Sequence, residues 1–151
     1  MKYWLMKGEP SEFGIDDLAR VGEQLWDGVR NYQVRNMFRD EMEAGDKALF
    51  YHSSCAAIGV VGEMEIVLPS EVDPAQFDKK SKYFDPKSTL DNPRWLGPVV
   101  RFKKKYKQLI PLSVIKNDPQ FATLPLVKRG NRLSAFPIKK EHYQAITKLT
   151  H

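Results

Sequence analysis

The chain predicts a small mixed α+β barrel with helices packed around it, in a single domain. Three observations carry this. Strand-like segments outnumber helical ones, and they do not alternate strictly with helices as parallel βαβ units do. No repeat, low-complexity stretch or linker divides the 151 residues, a length that supports a real core without staples.

The elements follow in order. Lys2–Lys7 (KYWLMK) reads as a short, aromatic-rich strand closed by Gly8 and Pro10. Ser11 is placed to cap a short helix through IDDLARVG, which Gly22 stops. Val34, Met37, Phe38 and Met42 fall at helical spacing and share one face of a second helix. Asn31 or Asp27 can cap its start, and Gly45 ends it. KALFYHSS alternates as a strand, with Leu49 and Tyr51 on one side and Phe50 and His52 on the other. AAIGVVGEMEIVL is the next strand, its Gly59 and Gly62 marking a bulge or sharp bend. Residues 70–96 are punctuated by Pro and Asp and carry a lysine cluster at 79–82, which suits a long functional loop with a turn of helix. PVVRFKKKYKQLIPL is a strand with Val99, Arg101, Lys103, Lys105 and Lys107 on one face, and Val100, Phe102 and Tyr106 mostly on the other. A helical turn (LSVIKND), a short strand (RLSAFPI) and an amphipathic helix (KKEHYQAITKL) complete the chain.

Composition narrows the function classes. The apolar and charged fractions are those of an ordinary soluble protein. A lone cysteine, Cys55, forms no internal disulfide, and no zinc-ligand spacing exists. MKYWLMKGEP meets charges and a proline too early for a signal peptide, and no apolar run reaches membrane-spanning length. A reduced, cytoplasmic protein is expected, without metal or cofactor, without a membrane partner, and monomeric. The net charge of +5 and an isoelectric point near 9.3 mildly favour an anionic partner such as nucleic acid.

Four clusters could carry chemistry. Cations at every second position from Arg101 to Lys107 can track phosphates, or simply protect an edge strand from aggregation. The segment QLWDGVRNYQVRNMF gathers planar and hydrogen-bonding groups ahead of the second helix. There Trp26 offers an indole that can stack on a base, Gly28 exposes backbone N–H groups, and Asn31 and Gln33 can read donor–acceptor patterns. Arg35 and Arg39 lie one turn apart and could clamp phosphates. Taken singly, Trp26 reads as core and Asn31 as a cap; together the segment tilts toward a pocket wall. His52 and Ser53 are adjacent on a strand and point to opposite faces, so no Ser–His couple forms, and His142 and His151 pair with no metal-type partner. His52 alone reads as a buried structural residue. Lys7 and Glu9 share one face, either as a surface ion pair or, if desolvated, as an acid and base.

KGEP, WDGVRNYQVRN, AGDKALFYHSS, IGVVGEMEI and GNRLSAFPI occur in the order and spacing of the EVE domain family, which the chain resembles from Tyr3 to Ile146. The resemblance implies a PUA-like pseudo-barrel wrapped by helices, related to YTH and ASCH domains. It also implies a non-enzymatic module with a pocket for a modified nucleobase such as 5-methylcytosine. Single-stranded or base-flipped DNA or RNA is the implied partner. By position, the pocket should draw on Lys7, Gly8 and Glu9; on Trp26, Val29, Arg30, Asn31 and Tyr32; on Tyr51, His52 and Ser53; and on Arg132, Leu133 and Ser134. Trp95 is a candidate further aromatic wall. The family's usual Lys-Ser-Glu-Pro is Lys7-Gly8-Glu9-Pro10 here, which removes a hydroxyl from the expected rim. The alternative is a small hydrolase or amidase on a modified nucleoside, as in ASCH-type relatives, with Lys7 and Glu9 as its candidates.

Overall fold

The computed structural model describes residues 1–150, which leaves His151 outside. Six strands form one open mixed sheet: β1 (Tyr3–Gly8), β2 (Glu23–Leu25), β3 (Lys47–His52), β4 (Gly59–Val72), β5 (Leu96–Pro111) and β6 (Ala135–Ile138). Their order is β2-β5-β4-β3-β1-β6. Only β1 and β3 run parallel; every other neighbouring pair is antiparallel. Four helices pack around them: α1 (Ile15–Val21), α2 (Tyr32–Asp40), α3 (Leu112–Lys116) and α4 (Lys140–Lys148).

Strand alternation sorts the apolar side chains into two cores, one on each face of the sheet. Trp4, Met6, Ala48 and Phe50 join Leu18, Val34 and Phe38 from α1 and α2. The intervening residues Leu5, Leu49 and Tyr51 join Ile115, Phe121, Tyr143 and Ile146 on the other face. The pairing register slips between Phe50 and Tyr51, and again between Val60 and Gly62, so the expected bulge is present. Further slips between β4 and β5 correct one expectation. Val100 and Phe102 face the first core, but Tyr106 lies in the second, donating its hydroxyl to Glu63 Oε2 at 2.8 Å.

Other differences have local causes. The short β2 carries no alternation long enough to read. Ser11 sits inside a turn, where the Glu9 carbonyl takes the Glu12 and Phe13 N–H groups, and does not cap α1. That cap is made by Asp17, whose carboxylate accepts the Gly14 N–H at 2.7 Å, and by His52, whose Nε2 accepts the Ile15 N–H at 3.1 Å. Asn31 caps α2, accepting the Val34 N–H at 3.0 Å. α2 stops at Asp40, and Gly45 instead turns the chain into β3.

Residues 73–95 form the long connection between β4 and β5, with one turn of 3₁₀ helix at Pro74–Phe77. Its two ends are stapled by the fully buried Gln76. The amide of Gln76 donates to the Asp73 and Trp95 carbonyls and accepts the Arg94 and Trp95 N–H groups, all at 2.7–3.0 Å.

Candidate functional site

The termini of β1, β2 and β3 meet this long connection around a cavity of about 790 Å³. Lys7, Gly8 and Glu9 line it from the end of β1, and Trp26, Val29, Arg30 and Asn31 from the segment that joins β2 to α2. Ser53 and Ser54 enter from beyond β3, and Arg132 and Ser134 from the approach to β6. Lys7 and Ser134 are held together, since the Lys7 N–H donates to the Ser134 carbonyl at 2.8 Å. Elements distant in sequence thus converge because β1 lies between β3 and β6 in the sheet.

Trp26 belongs both to the first core and to the cavity wall. It is 8% exposed, and its ring meets Phe50 edge-on, centroids 5.0 Å apart. Gly8 makes this possible: a Cβ there would come within 3.3 Å of Trp26 Cη2 and 3.1 Å of Phe50 Cε1. The serine usual in the resembled motif would therefore press on the indole, not merely add a hydroxyl to the rim. Gly28 has φ +82°, and a Cβ there would clash with the Tyr83 ring at 2.8 Å. Tyr83 thus lies flat on the glycine and closes one side of the cavity.

Arg30 fastens the long connection to this wall. Its guanidinium donates to the Tyr83 carbonyl at 2.7 and 3.0 Å, to the Val29 carbonyl, and to the buried Asp73 carboxylate at 2.9 Å. Its guanidinium carbon lies 5.3 Å from the Trp95 ring centroid and 5.4 Å from that of Tyr83. Arg30 is thereby an internal clamp whose donors are largely committed. Across the opening, the Tyr83 hydroxyl donates to Glu12, at 2.8 Å to Oε2, and Lys82 pairs with the same carboxylate.

The charges facing the cavity are poorly matched to each other. Lys7 and Glu9 form no ion pair among the described residues; Lys7 Nζ instead lies 5.7 Å from the Phe136 ring centroid. Burial pushes the Lys7 ammonium below its ordinary pKa. Asp27 is shifted upward, by burial first and the neighbouring Asp73 carboxylate second.

Several candidate residues lie elsewhere. Tyr51 points into the second core, where burial pushes its phenol up to about 12. His52 is the α1 cap, and burial holds its pKa down. Leu133 packs against both cores. Tyr32 stacks on Trp95 outside the cavity, centroids 4.7 Å apart, while the Trp95 indole N–H donates to Asp85 at 2.8 Å. Arg35 lies over Tyr32 and donates to the Arg94 carbonyl; Arg39 pairs with Asp40. The basic face of β5 is largely neutralised, because Arg101 pairs with Glu23, Lys103 with Glu65 and Lys105 with Asp16. Only Lys107 of that stripe has no acidic partner among the described residues.

Glu12, Phe13, Asp27, Ser54 and Tyr83 line the cavity without having been singled out as pocket residues from sequence. The long punctuated segment pointed to the region of Tyr83. Ser54 also leaves a trace only in the backbone, at φ +54°. Among the described residues, no three His, Cys, Asp or Glu side chains are grouped to hold a metal, and no helix is long and apolar enough to cross a membrane.

Fold and cavity together define a mixed α+β fold with an aromatic-lined cleft that carries both basic and acidic side chains. The model of the EVE domain family matches residues 2–149, and the chain belongs to that family. It is 40% identical to thymocyte nuclear protein 1 of Danio rerio over 165 residues, covering 97% of this chain and 71% of that protein. Among solved structures, a Pseudomonas syringae protein is 44% identical with a TM-score of 0.95, covering 99% of both chains. Human THYN1 protein in complex with 5-methylcytosine-containing DNA is 36% identical with a TM-score of 0.89, covering 100% of this chain and 98% of that one. A Zymomonas mobilis ASCH protein, 9% identical with a TM-score of 0.54, shares the fold alone.

Proposed function

We propose that this chain is a nucleic-acid reader that accepts one nucleobase, such as 5-methylcytosine, in the cavity beside Trp26. The observation that carries the reading is the cavity itself. It combines an indole, further aromatic lining from Phe13 and Tyr83, and the cations Lys7 and Arg132, which have no ion-pair partner among the described residues, in a chain akin to a DNA-bound relative. A base enters from a single strand or after flipping out of DNA or RNA, since leaving the stack costs about a few kcal/mol and least where pairing is already absent. Flanking phosphates lie over Arg132 and the neighbouring Lys128 and Arg129, whose charges no carboxylate neutralises among the described residues. The register slips that bend β3, β4 and β5 support the companion reading that the sheet curls as a pseudo-barrel.

A methyl group alone contributes about 0.8 kcal/mol, near fourfold in affinity, so strong selectivity requires hydrogen bonds as well. The test is tryptophan fluorescence during titration with short single strands bearing cytosine, 5-methylcytosine or an abasic site, at two salt concentrations. Quenching by the base-bearing strands is expected, and Trp26→Phe should abolish most of it while the domain remains folded. Trp26→Ala is the poorer probe, because emptying a core position of this size costs about 3–5 kcal/mol of stability. Equal binding of abasic and base-bearing strands would sink the reading. The desolvated Lys7 favours one alternative, a hydrolase or amidase acting on a modified nucleoside, whose mark would be turnover abolished by Lys7→Ala.

A further inference from the structure

Two carboxylates of the cavity wall, Glu9 and Asp27, enter no ion pair among the described residues, and of the two Asp27 stands in the segment beside Trp26, next to the engaged Asp73. Among the described residues Asp27 also accepts no hydrogen bond from another residue. By contrast, Asp73 accepts from Gly28 and Arg30, and Glu12 accepts from Tyr83 and pairs with Lys82. The backbone on both sides of Asp27 is pinned. The Trp26 N–H donates to the Pro98 carbonyl at 2.7 Å, and the Gly28 N–H to Asp73 at 2.9 Å. The carboxyl is therefore held on a rigid turn in the cavity wall, exposed to solvent. Desolvation, Asp73 and Glu12 disfavour its charge, and its own backbone and Arg30 only partly offset them. An acceptor in that position is stabilised by a ligand that brings its own hydrogen-bond donor.

Chemistry indicates which donor. A slot that recognises only a C5-methyl pyrimidine cannot separate 5-methylcytosine from thymine, since both carry that methyl. They differ at position 4, where cytosine offers an amino donor and thymine a carbonyl acceptor. We propose that Asp27 is the specificity-determining residue of this cavity: its carboxylate accepts from the exocyclic amino group of a cytosine-class base and repels the carbonyl of thymine or uracil. This rests on the nucleobase reading above and adds the group that decides between bases.

The test compares binding of fluorescent single strands that carry one central 5-methylcytosine, thymine or abasic site, using the wild type, Asp27→Asn and Asp27→Ala. The wild type should prefer 5-methylcytosine over thymine by about tenfold or more, the range of a hydrogen bond to a charged group. Asp27→Asn, whose amide can donate to the thymine carbonyl, should bring the two within about threefold by raising thymine affinity. Asp27→Ala should narrow the ratio by weakening 5-methylcytosine. Both variants should melt no lower than the wild type, since the repulsion from Asp73 and Glu12 that they remove outweighs the attraction to Arg30 that they lose; a marked loss of stability would overturn the assignment. A ratio unchanged in both variants, with base still preferred to abasic, overturns the role of Asp27 and leaves the nucleobase reading intact. Indifference of the wild type to base against abasic overturns both.

Discussion

His52 acts as a neutral hydrogen-bond acceptor by virtue of where it stands. Its Nε2 takes the Ile15 N–H at the positive end of α1, a place where an imidazolium could neither accept nor be tolerated by the helix dipole. Burial is the main cause holding its pKa below 6.5; Lys105 acts in the same direction, and Asp16 and Asp17 oppose it. A depressed pKa means that the folded state binds fewer protons than the unfolded one. The stabilisation is therefore complete above the unfolded value and is lost as pH falls through the folded value. Melting temperatures taken from pH 7.5 down to about 5 should fall more steeply for the wild type than for His52→Gln, whose amide oxygen can accept without titrating. Parallel curves would exclude His52 from the acid response. The sequence marked this histidine as structural when read alone, and as a pocket residue through the family motif. Neither reading reached its partner, because the cap joins residues 37 positions apart, beyond any local pattern.

At the scale of elements, the connection 73–95 is ordered by a few buried polar groups more than by apolar packing. Gln76 satisfies two carbonyls and two N–H groups, and the Arg30–Asp73 pair fixes the same segment to the Gly28 turn. Gln76→Leu keeps the volume but strips those four backbone groups of their partner, at about 1–3 kcal/mol for each that stays buried. The connection should therefore release locally: hydrogen exchange should accelerate across 73–95 and at Gly28 while β1 and β3 keep their protection. Uniform acceleration throughout the domain would show that the connection is integral to the global fold. The sequence made the length and punctuation of this segment legible, but Gln76 within PAQF looks like any surface glutamine. Tyr83 was equally hidden, since its role comes from the glycine it covers in another segment. The long helices and strands were legible from their periods. The parallel pairing of β1 with β3 and the placing of β2 at the far edge were not, being non-local choices.

For the whole molecule, the net charge of +5 is a poor guide to where an anion binds. The most conspicuous cationic run in the sequence, on β5, meets Glu23, Glu65 and Asp16 across neighbouring elements, and these largely cancel it. Exposed pairs of this kind contribute about 0–1 kcal/mol to stability, but they do remove local potential. Among the described residues, the charges without an ion-pair partner include Lys7, Arg132, Glu9 and Asp27 at the cavity, and Lys128 and Arg129 just ahead of Arg132. Electrostatic attraction should therefore centre on the rim at Lys128, Arg129 and Arg132 and not on the sheet's basic face. Affinity for a single strand falls with salt at a logarithmic slope of about 0.7 per phosphate neutralised. Arg132→Ala should lower that slope by about 0.7, whereas Lys103→Ala should leave it nearly unchanged, both read from titrations at several salt concentrations. The opposite ranking would place the backbone of the nucleic acid along β5, with the ion pairs there opening on binding. Agreement with the expected ranking would bring phosphate contacts and base cavity onto one rim, as insertion of a single nucleotide requires.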